Sequence, residues 1–181
     1  MESCYINSPL GVTKIEGDVD GIMSISVLNN NELAETNEGE TDSLSFPRKW
    51  ESKEKLTDII PEVLQDCVYQ LNEYFEGKRQ TFSLKLNPQG TDFQQKVWDA
   101  LQTIPYGTTT TYLKLSQQLG DVKAIRAVAN ANGKNPLWIV IPCHRVIGSD
   151  GSLTGYAGGL HRKQWLLEHE SPYKQQTLFN V

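Results

Sequence analysis

The residues best suited to chemistry lie together in one stretch, Ile139–Gly148, where Cys143, His144 and Arg145 directly follow a proline. Cationic neighbours lower the pKa of a thiol and so favour the thiolate, which is the nucleophilic form of cysteine. This spacing therefore indicates a reactive cysteine in an electropositive setting. A simpler interpretation is also open, because a lone cysteine is commonly a small buried hydrophobe and its two neighbours could be surface residues bonded to nearby carbonyls.

A short buried strand is expected immediately before the cysteine. Residues 139–141 are branched aliphatics, which fit a pleated surface, and Pro142 cannot continue a ladder of hydrogen bonds. A side chain just past a rigid element can be held in one direction. The sequence thus predicts a strand over 139–141 that positions Cys143.

A helix-turn-helix is predicted upstream, with short helices over Tyr112–Leu119 and Val122–Asn132 joined through a glycine turn. The second helix should turn Lys123, Arg126 and Ala127 outward. Small residues beside one arginine allow a close approach to DNA, and a helix N-terminus favours phosphate. Helical hairpins of this kind also occur in proteins that never touch DNA, and an exposed arginine is usually only solvated.

A further helix is expected to open the second half, with Thr91 or Asp92 as its N-cap. Apolar residues recur there at helical spacing, so that one face of the helix should be buried. The residues predicted on that face are Phe93, Val97, Trp98, Ala100 and Leu101.

The end of the chain offers groups that could support the cysteine. A glycine-rich loop, Thr154–Gly159, lacks the spacings of phosphate-binding loops but could lie flat on a planar base. A last helix is predicted over Arg162–Glu168. Glu170 follows it and could orient the imidazole of His144, completing a Cys-His-Glu relay, or could be a solvated terminal charge. Similarly, Asn135 is either a turn former or a clamp for carbonyls around Cys143.

The first half reads as an antiparallel meander followed by a helix. An acidic loop over 29–47 separates the two, and a linker ends this half. The predicted elements are strands within Cys4–Gly11, Val12–Ile15 and Ile22–Leu28, a helical region Lys53–Gly77 with Pro61 as a break or a first turn, and a strand Phe82–Leu86. We therefore expect an α/β N-terminal domain over 1–88 and a mostly α C-terminal domain with the helix-turn-helix over 89–181.

The net charge of −5 is unevenly distributed along the chain. Residues 1–90 carry 8 lysines and arginines against 16 aspartates and glutamates, whereas residues 91–181 carry 9 against 6. This difference suggests two domains, the second of them able to meet a polyanion. A solvated acidic first half would explain much of it without any function.

The cysteine count and the hydropathy indicate a soluble cytoplasmic protein. Cys4, Cys67 and Cys143 are widely spaced and form no CxxC pair, as is usual in a reducing compartment. Cys67 falls on the apolar stripe of the predicted helix, which favours core packing. The residues predicted on this stripe are Leu56, Ile59, Ile60, Val63, Leu64, Cys67, Val68, Leu71 and Tyr74. No apolar run approaches the ~20 residues that cross a bilayer. The N-terminus also lacks the pattern of a secretory signal.

Taken together, these features resemble the methylated-DNA–protein-cysteine methyltransferases, also called O6-alkylguanine-DNA alkyltransferases. The resemblance covers nearly all of residues 91–181 in order and spacing, and the first half resembles the family's N-terminal domain in outline. It implies a ribonuclease H-like first domain and a winged-helix-like second one. The matching segments are Pro105–Gly107, Tyr112, Arg126–Val128, Asn135–Pro136, Ile141–Val146, Tyr156–Gly159 and Trp165–Glu170.

The resemblance implies direct-reversal DNA repair. The alkyl group of O6-methylguanine, and also of O4-methylthymine, would pass irreversibly to Cys143 after the damaged nucleotide is flipped out, so that each chain acts once. His144 would act as a base through a water, oriented by Glu170, while Asn135 braces the turn. Tyr112 would press on the adjacent phosphate and protonate the departing guanine.

The resemblance also implies how the DNA is held. Arg126 would enter the base stack in place of the flipped nucleotide, beside the outward residues Lys123 and Ala127. The guanine pocket would be lined by the backbone of Cys143 and Val146 and by Tyr156, Ala157 and Gly158. The implied partner is double-stranded DNA containing O6-alkylguanine. No cofactor and no membrane are implied, and the protein would be a monomer, with cooperative binding on DNA left open.

Three features of this sequence bear on how far the resemblance extends. Ala157 stands where some relatives have serine, so a contact to the guanine oxygen must come from the backbone N–H. Some relatives bind zinc in the first domain, but no histidine precedes His144 here and the first half holds two cysteines, so we predict no metal. Trp138 either narrows the tolerance for large O6 substituents or is simply packed.

Two other functions are alternatives to alkyl transfer. A non-enzymatic module that recognises alkylated bases and recruits repair factors would not need Cys143. A cysteine hydrolase or acyltransferase would use Cys143 with His144, but adjacent residues form a poor direct pair, and no oxyanion-hole motif is evident.

Overall fold

The computed structural model describes residues 1–28 and 57–172. The chain divides into two compact units, residues 1–89 and 90–181. The predicted acidic loop over 29–47 and the beginning of the helical region expected from Lys53 lie outside the described residues.

Three antiparallel strands form the sheet of the first unit, which confirms the predicted meander. β1 (Glu2–Ser8), β2 (Gly11–Asp18) and β3 (Gly21–Val27) are hydrogen-bonded in that order. Alternate residues are buried from Cys4 to Ser8 of β1 and from Thr13 to Gly17 of β2, as in a sheet that covers a core with one face. The tight β2–β3 turn needs a glycine at Gly21, since φ is +138° there and a Cβ would lie 2.6 Å from the carbonyl oxygen of Lys85.

The part of the first unit that the structure describes contains one helix. α1 spans Glu62–Phe75 and begins after Pro61, so the proline marks the start of a helix. Ile59, which we placed on the apolar stripe, precedes α1 and is 83% exposed. Val63, on the same stripe, is 36% exposed. Five other stripe residues are buried against the sheet, which confirms core packing for Cys67; they are Leu64, Cys67, Val68, Leu71 and Tyr74.

The predicted strand over Phe82–Leu86 is wrong. This segment is extended but forms one isolated bridge, between Leu86 and Ile22. The reason is that its backbone is partly bonded by a side chain: the N–H of Ser83 donates to Oε1 of Gln70. A regular ladder therefore does not form along it.

The second unit opens with α2 (Asp92–Gln102), which is capped by Thr91 through a reciprocal pair of hydrogen bonds with Gln94. Its inner face is buried as predicted, but Phe93 is 40% exposed because it lies in the first turn, outside the packed stripe. Nε1 of the buried Trp98 donates to the carbonyl oxygen of Ala131 at 2.9 Å. This bond ties α2 to the helix that contains Ala131.

The helix-turn-helix consists of α3 (Tyr112–Gln118), a 3₁₀ turn (Val122–Ala124) and α4 (Ile125–Gly133). The second helix therefore begins three residues later than predicted. Val122 is 49% exposed because it lies in the 3₁₀ turn, whereas Val128 is fully buried.

A second 3₁₀ turn (Cys143–Arg145) leads into β5 (Val146–Ile147), which pairs in parallel with β4 (Thr110–Thr111). The last described helix, α5, spans Leu160–His169. The predicted fold class is thus confirmed, with an antiparallel sheet and helix followed by a mostly helical unit. None of the helices in the described ranges is long and apolar enough to span a membrane.

Candidate active site

The segment before Cys143 is a turn, so the predicted strand over 139–141 is wrong. The N–H of Ile141 donates to the carbonyl oxygen of Leu137 at 2.9 Å. Ile139 has a φ of +72°, which is unfavourable for a β-branched residue and incompatible with an extended strand. Burial of its aliphatic side chains, rather than pairing in a sheet, accounts for the apolar run.

Asn135 holds this turn closed. Its Nδ2 donates to the carbonyl oxygens of Ile141 at 2.7 Å and Leu137 at 3.4 Å, and its Oδ1 accepts from the N–H of Leu137 at 2.9 Å. The side chain is buried, so these groups have no access to bulk water in exchange. The position of Cys143 therefore depends on Asn135.

Cys143 begins the 3₁₀ turn and is 4% exposed. Burial raises the pKa of its thiol, while a hydrogen bond from Asn135 and the charge of Lys163 act in the opposite direction. Our expectation that the neighbouring cations favour the thiolate is thus wrong for the free protein. The reason is that burial disfavours the charged thiolate, and Arg145 is directed at a carboxylate instead of the sulfur.

A buried carboxylate joins the two residues that follow the cysteine. Oε1 of Glu170 accepts from Nε2 of His144 at 2.8 Å. Arg145 donates to the same carboxylate from Nε at 2.8 Å and from Nη2 at 2.9 Å. Because a carboxylate accepts, Nε2 of the imidazole must carry the proton. Glu170 is therefore a buried partner of His144 and not a solvated helix end.

This arrangement leaves the other imidazole nitrogen as the basic one. Nδ1 of His144 is buried and has no hydrogen-bond partner among the residues described. Burial and the nearby cations lower the pKa of His144, against the opposing effect of Glu170. Burial works to raise the pKa of Glu170, but its bonds to His144 and Arg145 outweigh that effect and lower it. The pair therefore consists of a neutral imidazole and an ionised carboxylate.

Lys163 is a functional candidate that sequence reasoning missed. It is completely buried on α5, and its Nζ donates to the carbonyl oxygens of Val146 at 2.6 Å and Thr154 at 2.8 Å. Burial lowers its pKa to about 8, against the opposing electrostatic effect of Cys143. In the sequence, Lys163 resembles the other charged residues of an exposed helix. Its burial becomes evident only in the folded structure.

Tyr112 lies at the start of α3 and faces the loop that follows β5. Its hydroxyl donates to the carbonyl oxygen of Thr154 at 3.2 Å and lies 3.4 Å from Nδ2 of Asn132. The same Nδ2 is 3.5 Å from the carbonyl oxygen of Cys143. Burial raises the pKa of Tyr112, and so does the proximity of Cys143, so the hydroxyl keeps its proton at neutral pH.

The glycine-rich loop packs against Trp138. The rings of Trp138 and Tyr156 lie 5.3 Å apart, and a Cβ on Gly158 would come within 2.6 Å of the indole. Arg162, on α5, donates to the carbonyl oxygen of Gly158 at 2.8 Å and so connects the loop to the helix that follows it. The Tyr156 hydroxyl is buried and, within the described part of the chain, makes no hydrogen bond. Ala157 is exposed beside it.

The residues predicted to face DNA are indeed at the surface. Arg126 and Ala127 lie exposed in the first turn of α4, and Lys123 is exposed in the 3₁₀ turn before it. They lie at the opposite end of α4 from Asn132. The described residues contain no group of three or more His, Cys, Asp or Glu side chains that could hold a metal ion.

The chain matches two protein domain families, which together cover most of its length. Residues 3–88 match the ribonuclease-like domain of 6-O-methylguanine DNA methyltransferase. Residues 92–172 match the DNA-binding domain of the same protein family.

Individual relatives agree with these matches. The chain is 42% identical over 165 residues to a methylated-DNA–protein-cysteine methyltransferase of Methanosarcina barkeri, covering 91% of this chain and 94% of that protein. A Mycobacterium bovis protein of the same name is 54% identical over 110 residues, which are 61% of this chain and 67% of that protein.

Solved structures show the same fold. The crystal structure of Mycobacterium tuberculosis O6-methylguanine methyltransferase has a TM-score of 0.74 and 39% identity and covers 99% of both chains. A structure of Mycobacterium tuberculosis OGT in complex with DNA has a TM-score of 0.72 and 40% identity, covering 97% of this chain and 98% of that one.

Proposed function

This chain belongs to the methylated-DNA–protein-cysteine methyltransferase family, and on that premise we propose that it transfers the alkyl group of O6-methylguanine in DNA to Cys143, once per molecule. It is accordingly an enzyme of DNA repair. We further propose that the sulfur of Cys143 accepts the alkyl group, that each chain acts once, and that the damaged nucleotide is flipped out of the duplex.

One observation carries the proposal. Among the described cysteines, Cys143 alone is followed by a histidine that is hydrogen-bonded to a carboxylate, and it lies in a turn that Asn135 holds closed. Cys4 and Cys67 are core residues of the first unit, whereas Cys143 is held by Asn135 and followed by His144. A nucleophile must be held in line with the carbon that it attacks. The braced turn around Cys143 supports this role.

The protonation states of the site residues indicate which of them accepts a proton and which donates one during transfer. The thiol of Cys143 starts neutral, so its proton must leave before or during attack. Nδ1 of His144 accepts it through a water, and Glu170 stabilises the imidazolium that forms. The sulfur bonds to the alkyl carbon while the carbon–oxygen bond breaks and its electron pair passes to guanine. Tyr112 donates its hydroxyl proton to the departing base.

Burial of the sulfur supports nucleotide flipping. A base stacked in a duplex cannot reach the sulfur of a residue that is 4% exposed, so the damaged base must enter the protein at a cost of a few kcal/mol. Arg126, exposed at the start of α4, is suited to fill the gap in the stack. Val146, Tyr156, Ala157 and Gly158 would line the pocket that receives the base.

The product explains why one chain repairs one lesion. A thioether has no labile proton and no good leaving group, so the free thiol cannot be regenerated by reversal.

O4-methylthymine presents the same kind of carbon–oxygen bond and is proposed as a second substrate. Trp138 lies against Gly158 of the pocket loop, which supports its role in limiting the size of the O6 substituent.

Double-stranded DNA is the proposed partner, met through Lys123, Arg126 and Ala127. The proposed organisation is a first domain over 1–88 and a DNA-binding transferase domain over 89–181. We propose that the protein acts as a monomer in the cytoplasm, where its three free cysteines would stay reduced. No cofactor is required by this chemistry.

The direct test is the mass of the intact protein after incubation with duplex DNA that contains O6-methylguanine. We expect a gain of one methyl group per chain, located on the peptide with Cys143 after digestion, and no gain in Cys143→Ser. Binding of lesions without a mass change would support a recogniser that only recruits other factors. Loss of many lesions per chain would contradict single turnover.

A further inference from the structure

We propose that Asn132 is a positioning residue that makes Tyr112 a stronger acid during transfer. Asn132 lies in the last turn of α4 and is 1% exposed. The inference rests on the proposed function, in which Tyr112 protonates the departing guanine.

The orientation of the Asn132 amide follows from its neighbours. The carbonyl oxygen of Cys143, 3.5 Å away, can only accept a hydrogen bond, so the atom facing it must be the NH₂ nitrogen. That nitrogen has a second hydrogen and lies 3.4 Å from the hydroxyl oxygen of Tyr112. Because the Tyr112 proton is directed at Thr154, the hydroxyl oxygen can accept from Asn132.

The contact gains strength when Tyr112 gives up its proton. The proton passes to a ring nitrogen of guanine as the base takes the electron pair of the broken carbon–oxygen bond, and negative charge remains on the tyrosine oxygen. A hydrogen bond to a charged oxygen is shorter and stronger than one to a neutral hydroxyl. Distances of 3.4–3.5 Å are long for a resting contact, but catalytic hydrogen bonds commonly tighten only in the reacting complex.

The environment of the amide oxygen of Asn132 argues against a purely structural role for this residue. Oδ1 of Asn132 is buried and, across residues 1–28 and 57–172, has no hydrogen-bond partner. An unpaired buried acceptor costs free energy, so an apolar side chain of similar size would pack here at a lower cost. Retention of the amide is explained by what its N–H groups do for Tyr112 and for the turn at Cys143. One side chain thereby connects the acid to the nucleophile.

A double-mutant cycle tests the proposal. Asn132→Leu keeps the side-chain volume and removes the donor, and it is measured alone and combined with Tyr112→Phe in single-turnover transfer from duplex DNA. We expect a loss on the order of tenfold in the protein that retains Tyr112, the size of a charge-assisted hydrogen bond. With Phe at position 112 the same change should cost less than about twofold, because no charged oxygen remains to be stabilised.

The matched control is Ser116→Ala. Ser116 is a buried polar residue on α3 that donates to the backbone oxygen of Tyr112 and does not touch its hydroxyl. Its effect should be the same with Tyr or Phe at position 112. Thermal midpoints are recorded for every variant. If Asn132→Leu does not fold, Asn132→Met replaces it, since its unbranched side chain adapts to the space and carries no hydrogen-bond donor.

The outcomes separate the two proposals. Equal losses from the Asn132 change in both backgrounds, or no loss with Tyr112 present, would overturn the positioning role while leaving alkyl transfer intact. Failure of the wild-type protein to methylate Cys143 would instead overturn the proposed function and this inference with it.

Discussion

Glu170 is the most heavily bonded side chain of the site. Its carboxylate accepts from His144 and twice from Arg145, and the N–H of Gly107 lies 3.4 Å from Oε2. Arg145 is 6% exposed, and Glu170 is the carboxylate that it contacts in the described part of the chain. Removing one partner of a buried pair is costly, chiefly because the other charge is left unpaired.

We therefore predict that Glu170→Gln lowers both stability and transfer. The free energy of unfolding should fall by about 3 kcal/mol, and the transfer rate should fall because the imidazolium of His144 loses its counter-charge. Urea unfolding and single-turnover transfer measure the two effects. Glu168→Gln is the control, since Glu168 is exposed on the same helix and should change neither. Equal effects of the two variants would contradict a special role for Glu170.

The same pair predicts how stability depends on pH. The folded-state pKa values of His144 and Glu170 both lie below their ordinary values of 6.5 and 4.5, so the unfolded chain binds protons more tightly. Stability from both groups is fully present above about pH 6.5. It should decline as the pH falls below that value and decline more steeply below about 4.5. Unfolding midpoints in urea between pH 8 and 4 measure this, and a flat profile would contradict the assignment.

At the scale of elements, the helices of the second unit were predicted well because their signals are local. Thr91 caps α2, and the apolar spacing of Val97 and Leu101 locates its buried face. The strand expected over 139–141 failed because an apolar run only reports burial. What makes this segment a turn is the side chain of Asn135, together with the positive φ of Ile139.

The site itself was predicted only where its residues are close in sequence or match the family. Cys143 and His144 are adjacent, and for Glu170 the sequence alone left a solvated helix end open until the resemblance assigned it to His144. Lys163 and Asn132 were missed, because their burial depends on packing between α5, α4 and the turn at Cys143. A lysine and an asparagine at helical positions carry no sign of that packing. The protonation of Cys143 was misjudged for the same reason, since burial decides it.

The position of Arg126 on α4 leads to a prediction about duplex DNA. If the arginine fills the gap left by a flipped base, Arg126→Ala should slow transfer from duplex DNA at least tenfold, since unstacking is then uncompensated by about 1.4 kcal/mol or more. Transfer from single strands should change much less, because they leave no stacked gap. Lys134→Ala removes an exposed charge just after α4 and should affect both substrates alike. Equal losses for Arg126→Ala on both substrates would exclude the role.

At the scale of the whole molecule, charge distinguishes the two halves. The protein is acidic overall, yet residues 91–181 have more basic than acidic side chains. Binding to DNA releases counter-ions from phosphates, so each basic residue that contacts a phosphate steepens the dependence of affinity on salt. A net negative charge is therefore compatible with DNA binding when the contacts come from the second half alone.

Salt dependence consequently reports which half meets the DNA. Lys123→Gln should reduce the slope of log Kobs against log salt concentration by about 0.9, the contribution of one phosphate contact on duplex DNA. Lys78→Gln is the matched control, because Lys78 is 69% exposed in the first unit and should leave the slope unchanged. Fluorescence anisotropy with unmodified duplex across a salt series provides the measurement. A reduced slope for Lys78→Gln would show that the first unit also contacts phosphate and that the charge asymmetry does not mark the DNA-binding surface.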